Sequence, residues 1–182
     1  MPVNRNKFWG WHMWSSEMLR ACTAEHDPTT ALEYLDRAAE YGRNAFLAST
    51  NPKERALSCT MPQAAIAMRM CIEVGAHDTG HDSTERLTKF WDWQIASSEA
   101  LREATREVDA DKARQFLHMA AVYGERAFTE SANPTERMLS MTMIEAAAAV
   151  KLVVDTGVER ILITDVASVP DPPAPPITDQ RR

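Results

Sequence analysis

The stretch AAEYGRNAFLASTNPKERALSCTM at 38–61 returns later in the same chain as AAVYGERAFTESANPTERMLSMTM at 120–143. Extending the match outward without a gap pairs Lys7 with Lys89 and Gly75 with Gly157, an offset of 82 positions at which 33 of 69 pairs are identical. Identity at that level and at one offset marks a tandem repeat, in which each unit leaves an apolar face for its neighbour to cover. The punctuation inside the stretch is helical. Asn51 and Asn133 each precede a proline and then, three positions on, Glu54 or Glu136: an N-cap, a proline at the first helical position and a returning acid. A helix therefore starts at each Asn-Pro.

Outward from there, Asp27 followed by Pro28 signals the start of an earlier helix, and Asp109 serves in the second copy. The first helix of each copy runs from about Lys7 or Thr84 to that aspartate. Gly75 and Gly157 suit the stop of the last helix. The helical period then assigns core faces: Phe8, Trp11, Ser15, Leu19, Cys22 and His26 on the first helix, with Phe90, Trp93, Ser97, Leu101, Ala104 and Val108 as counterparts. On the second helix Ala31, Leu35, Ala38, Gly42, Ala45 and Ser49 align, as do Ala113, Leu117, Ala120, Gly124, Ala127 and Ser131. Glycine inside a helix costs about 1 kcal/mol relative to alanine, so its recurrence implies a backbone that approaches another helix closely. The third helix offers Leu57, Met61, Ala64, Met68 and Ile72 against Leu139, Met143, Ala146, Val150 and Val154.

The expected fold is all-α, a six-helix bundle made of two tandem pseudo-symmetric three-helix repeats with an extended Pro-rich C-terminal tail. A single helical domain spans 1–169, divided into repeat 1 at about 7–75, a linker at 76–83, repeat 2 at about 84–157 and an extended segment at 158–169. The last part of that segment, ILITDVASV, is β-branched and apolar enough to lie along a groove or pair with a partner. Residues 170–182 open with five prolines in seven positions and are expected to be a disordered tail without packed structure.

Composition limits the function classes. A net charge of −6, with no Lys/Arg-rich run, argues against nucleic acid as a partner, because phosphate binding needs a basic surface. No apolar run reaches the twenty or so residues that span a bilayer, so no membrane association is expected. The Trp-rich stretch behind Lys7 is broken by Gly10, His12, Ser15 and Ser16 and does not read as a signal-peptide core. Three cysteines without CxxC spacing fit a reducing compartment, and a cytoplasmic location is expected.

The candidate sites are few. The linker carries His77, Asp78, His81 and Asp82, two His-Asp pairs four apart with no counterpart in the repeat, and these are the candidate metal ligands. The His-Asp dipeptide resembles the central element of the HD-domain metal phosphohydrolases, a resemblance covering two residues, without that family's flanking ligands at matching spacing. A solvated turn in which Asp82 or Ser83 caps the next helix is the plainer reading. Cys22 and His26 have the i, i+4 spacing of two ligands, but Ala104 and Val108 stand in their places in the second copy, which makes them core. All five tryptophans fall in two blocks. Trp9 and Trp91, two positions from the core Trp11 and Trp93, face elsewhere on the helix, and with Trp14 they are candidates for an interface between copies, between chains or with a partner. Pro62, inside the third helix of the first copy alone, is expected to kink it; a surface bend is the plainer outcome, and a pocket with Trp14, Met61 and Met68 is the alternative.

Everything that recurs is packing and capping, so a non-enzymatic interaction or scaffold module is expected, binding a protein partner or self-associating as a homodimer, with no cofactor. A small-molecule-binding bundle is the alternative, and a metal-dependent hydrolase using the linker the second alternative.

Overall fold

A computed structural model describes residues 5–76, 84–158 and 169–174. Among the described residues there are six helices and no strand: α1 (Arg5–Ala24), α2 (Pro28–Ala48), α3 (Pro52–Glu73), α4 (Thr84–Arg106), α5 (Ala110–Glu130) and α6 (Pro134–Thr156). None is long and apolar enough to cross a membrane.

The helix starts follow the cap residues. The Asn51 side chain accepts from the Glu54 N–H at 2.9 Å, and the Glu54 carboxylate reaches back to the Thr50 N–H at 2.8 Å. Asn133 and Glu136 repeat the arrangement at 2.9 Å and, to the Ala132 N–H, 2.8 Å. Asp27 caps α2 through the Thr30 N–H, and Asp109 caps α5 through Asp111 and Lys112. Each device satisfies amide donors that a helix start otherwise leaves unpaired. At the other end Gly157 closes α6 with a left-handed φ of 70°, which glycine adopts without a Cβ penalty.

α1 and α4 stop earlier than their stripes suggest. They end at Ala24 and Arg106, so His26 and Val108 fall beyond the last turn and are exposed, while Cys22 and Ala104 are the last buried members. The stripes of α2, α3, α5 and α6 are buried along their whole length.

Each half packs as α1 on α2 on α3, and α4 on α5 on α6, and the two halves meet mainly where α3 lies against α6. The same polar pin recurs in both: the Ser15 hydroxyl donates to the Ala38 carbonyl at 2.7 Å, and the Ser97 hydroxyl to the Ala120 carbonyl at 2.8 Å. Both hydroxyls are buried, so each bond holds the first helix at one height on the second. A further tie crosses the halves. The buried Lys53 donates to the carbonyls of Ala104 at 3.3 Å and Glu107 at 2.5 Å, satisfying the C-terminal end of α4 with a cation where the helix dipole is negative. Arg86 meets Glu136 at 3.1 Å and also bonds the Glu130 carbonyl, fastening α4 to the corner between α5 and α6.

Pro62 sits inside α3, which continues through it, and its ring packs toward Gly42. Residues 169–174 give a correction. Expected to lack packed structure from Pro170 onward, Val169 to Ala174 instead run along α1: Lys7 Nζ donates to the Val169 carbonyl at 3.1 Å, Trp11 Nε1 to Pro170 at 3.1 Å and Trp14 Nε1 to Pro173 at 2.9 Å. The prolines that remove backbone donors also lock φ, so ordering them costs little entropy, and the indoles satisfy their carbonyls. The segment ILITDVASV, save Val169, and the residues from 175 onward lie outside the described residues.

The two helix glycines sit at the closest approaches. A Cβ on Gly42 would stand 2.9 Å from Met61 Cβ and 3.0 Å from Pro62 Cδ, whereas on Gly124 it would meet Ile144 Cγ1 at 2.9 Å and nothing else within 3.3 Å. Met61 Cβ and the Pro62 ring move only with the backbone, but Ile144 can turn about χ1. Gly42→Ala should therefore destabilise by about 1–3 kcal/mol through overpacking, while Gly124→Ala should be close to neutral as helix propensity offsets the side-chain adjustment. Urea unfolding of the two variants checks this, and equal midpoints would show that the proline ring is not the obstacle.

Candidate functional site

Because α3 and α6 carry the seam, α1 and α4 flank it, and the space between them is a cavity of about 290 Å³. Its walls are the second faces of α1 and α4: Trp9, His12, Met13, Ser16, Glu17 and Arg20 from the first, and Trp91, Gln94, Ile95, Ser98, Glu99 and Arg102 from the second. Every one of these residues stands 82 positions from its opposite number. Leu139 and Met143 of α6 contribute to the lining from below.

The aromatic end is clamped across the halves. The Arg106 guanidinium of α4 lies 5.2 Å from the Trp9 ring of α1, and the Arg20 guanidinium of α1 lies 5.7 Å from the Trp91 ring of α4. Cations over indole faces at this range are attracted by the ring quadrupole, so each tryptophan is oriented by the opposite half. Trp9 also meets Phe8 edge-on at 4.8 Å and His12 edge-on at 5.6 Å, and Trp91 repeats the first contact with Phe90 at 4.8 Å. Arg20 is held in turn by Glu17 at 2.9 Å.

The polar lining differs between the copies at one pair. The Gln94 amide donates to the Ser140 hydroxyl at 2.9 Å and is buried and satisfied. His12, its counterpart, stacks on Phe8 at 5.6 Å and has a buried Nδ1 with no hydrogen-bond partner. Burial of the ring pushes its pKa down to about 4, because the charged form loses its hydration. At neutral pH His12 is an uncharged imidazole in the cavity wall, its buried Nδ1 left unsatisfied. Ser16 and Ser98 direct their hydroxyls to Met61 Sδ at 3.8 Å and Met143 Sδ at 3.6 Å, contacts that are weak and readily exchanged.

Of the interface candidates, Trp9 and Trp91 line this cavity, whereas Trp14 is on another face of α1, donating to Pro173. None of the residues proposed for a pocket beside Pro62 lines it: Met61 and Met68 are fully buried core, Pro62 faces Gly42, and Trp14 contacts the tail. His77, Asp78, His81 and Asp82 lie outside the described residues. Among those described, no group of three or more His, Cys, Asp or Glu is placed to hold a metal ion. Cys22 is buried away from the exposed His26, and burial together with the Glu25 charge pushes its thiol up to about 12, which leaves it protonated and inert. The lining was written in the sequence as a second stripe on α1, with Trp9, His12, Met13, Ser16, Glu17 and Arg20 at helical spacing. Its mixed polarity hid it among surface positions.

The His12 geometry carries a pH dependence. The unfolded chain binds a proton near pH 6.5, its ordinary value, and the folded chain only near pH 4. Between these values the unfolded state holds more protons, so folded stability falls as pH drops through that window. His12→Gln, which installs the residue of the other copy, should flatten this component of the fall. Urea midpoints for both chains at pH 7 and pH 4.5 measure it, and identical losses on acidification would show that His12 is not buried in its neutral form.

Comparison with known proteins returns no match: no family model, no curated protein and no solved structure matches the chain.

Proposed function

We propose that the chain is a duplicated helical bundle whose halves are pseudo-equivalent three-helix units about an approximate twofold axis, and that the cavity on that axis binds a small molecule without transforming it. The observation that carries this is the composition of the cavity wall: six residue pairs from matched positions of α1 and α4, closed by Arg20 on Trp91 and Arg106 on Trp9. Binding sites are concave, mostly apolar and supplied with a few converging polar groups, and this volume sits at the lower end of their range, about 300 Å³. The ligand this favours is compact and uncharged at its buried end, with an aromatic or aliphatic body for the two indoles and one polar group for the imidazole of His12. A charged group would sit at the rim beside Glu17, Arg20, Glu99 and Arg102.

A second reading, that the chain is an interaction module which self-associates, is favoured by a different surface. Ile66 and Met70 of α3 and Val74 at its C-cap are 60%, 62% and 78% exposed at successive four-residue steps, an uncovered apolar ridge. Sedimentation equilibrium tests it, with Met70→Glu returning any dimer to monomer.

For the ligand reading the direct test is a thermal-shift screen of small aromatic and aliphatic fragments, since a molecule that binds only the native state raises the melting temperature. Hits should be abolished by Ser16→Trp, which fills the cavity, and weakened about tenfold or more by loss of the His12 bond in His12→Phe, a cost of roughly 1–2 kcal/mol. A screen without hits, or hits that persist in Ser16→Trp, would sink the proposal.

A further inference from the structure

The docked tail exposes a second site on α1, with different chemistry from the cavity. Its donors address backbone and not side chains. Lys7 Nζ bonds the Val169 carbonyl, Trp11 Nε1 the Pro170 carbonyl and Trp14 Nε1 the Pro173 carbonyl. Between them the ring of Pro172 seats against Gly10, where any Cβ would stand 2.5 Å from its Cγ. Tyr41 of α2 backs the two indoles, 5.3 Å from Trp11 and 6.4 Å from Trp14. Lys7 also pairs with the carboxylate of Asp171 at 2.8 Å. Pro170, Pro172 and Pro173 fix their own φ and push the residue before each toward the extended region, which favours a polyproline-like bound segment. Indole N–H groups on carbonyls three residues apart, an aromatic floor and a notch for one ring suit a proline-rich peptide.

The second copy keeps Lys89, Trp93 and Tyr123 in the places of Lys7, Trp11 and Tyr41 but shows that Gly10 and Trp14 are not needed for folding the unit. There Asp92 stands for Gly10, Ala96 for Trp14 and Arg126 for Asn44. Trp93, the counterpart of Trp11, is closed off by Arg126 at 4.6 Å and stacked on Tyr123 at 5.7 Å. One copy thus has the notch and both indoles, and the other folds without the notch and with one indole, itself covered by Arg126. We propose that the groove formed by Lys7, Gly10, Trp11, Trp14 and Tyr41 is a recognition site for proline-rich segments of partner proteins, carrying an acidic residue between prolines, and that the Val169–Ala174 segment is its autoinhibitory occupant. Contacts to carbonyls and one proline ring are sequence-tolerant, so a segment in trans presents the same atoms. A tethered occupant competes at an effective concentration of about 1 mM, which keeps the groove shut against weak binders and yields it to strong or abundant ones.

The probe is a synthetic peptide of the sequence Val169–Ala174, added to full-length chain with its tryptophan indole N–H groups observed by NMR. In the chain carrying Pro172→Ser and Pro173→Ser together, the Trp11 and Trp14 indole signals should move from their positions in the unsubstituted chain. Added peptide should return them, with an apparent affinity at least about tenfold higher than for the unsubstituted chain, where the tail competes. A further Gly10→Asp substitution, copying the second repeat, should abolish peptide binding without lowering the melting temperature. A peptide whose acidic residue is replaced by lysine should bind more weakly through loss of the Lys7 contact. Indole signals unmoved by the double substitution, peptide that fails to restore them, or binding that survives Gly10→Asp would each overturn the proposal. Restoration by equimolar unsubstituted chain in place of peptide would assign the groove to a second copy, and overturn it equally.

Discussion

The closeness of α2 to α3, and of α5 to α6, is the constraint on which the rest of the molecule hangs. At Gly42 the second helix presents bare backbone to Met61 and Pro62 of the third, where a Cβ has no room, and at Gly124 the matched close approach is to Ile144, a side chain that can turn aside. The third helix also meets its counterpart, so that α3 and α6 carry the main contact between the halves. The first helix, pinned by Ser15 or Ser97 to the second, also reaches the third, as in the bond from Gln94 to Ser140. Across the seam α1 and α4 meet through side chains, Arg106 on Trp9 and Arg20 on Trp91. The cavity lies between these two helices, on a face of α1 distinct from the one that carries Trp14.

Duplication followed by divergence accounts for both sites on α1. The cavity is built from pairs that kept their character at the 82-residue offset, so the two walls present the same kinds of group to one cavity. The sharpest departure within it, His12 against Gln94, is also where hydrogen-bonding capacity is left unsatisfied. A buried nitrogen without a partner costs free energy on folding, a cost that Gln94 avoids by bonding Ser140. The tail groove arises the opposite way. It occupies positions where the copies part company, Gly10 against Asp92 and Trp14 against Ala96, and the chain supplies one tail for one groove.

The ion pairs are secondary to this arrangement. Most are exposed and local to one helix, such as Lys89 with Glu85 and Arg114 with Asp111, and such pairs contribute little once water screens them. The polar contacts that set geometry are the enclosed ones: Lys53 on the end of α4, Arg86 on Glu136, and the two serine pins. Each ends an element or joins two, where a misplaced partner would leave a buried group unsatisfied.

The sequence by itself determined the helices and their inward faces, because both are local properties. An Asn-Pro-x-Glu cap acts within four residues, a 3.6-residue period is visible along one helix, and a glycine repeated at position 42 and 124 announces a close approach whatever lies opposite. The internal repeat sharpened this by showing which substitutions the unit tolerates, as with Cys22 against Ala104. Only the tertiary structure decided what the remaining faces do. Whether Trp9 and Trp91 meet solvent, a partner or each other's half depends on the separation of α1 and α4, a distance set by α3 and α6 that no local pattern encodes. The same holds for the prolines after Val169: in isolation they read as a segment with too little apolar surface to order, and they pack because two indoles, a lysine and a missing Cβ, about 160 residues away in sequence, match their carbonyls and one ring.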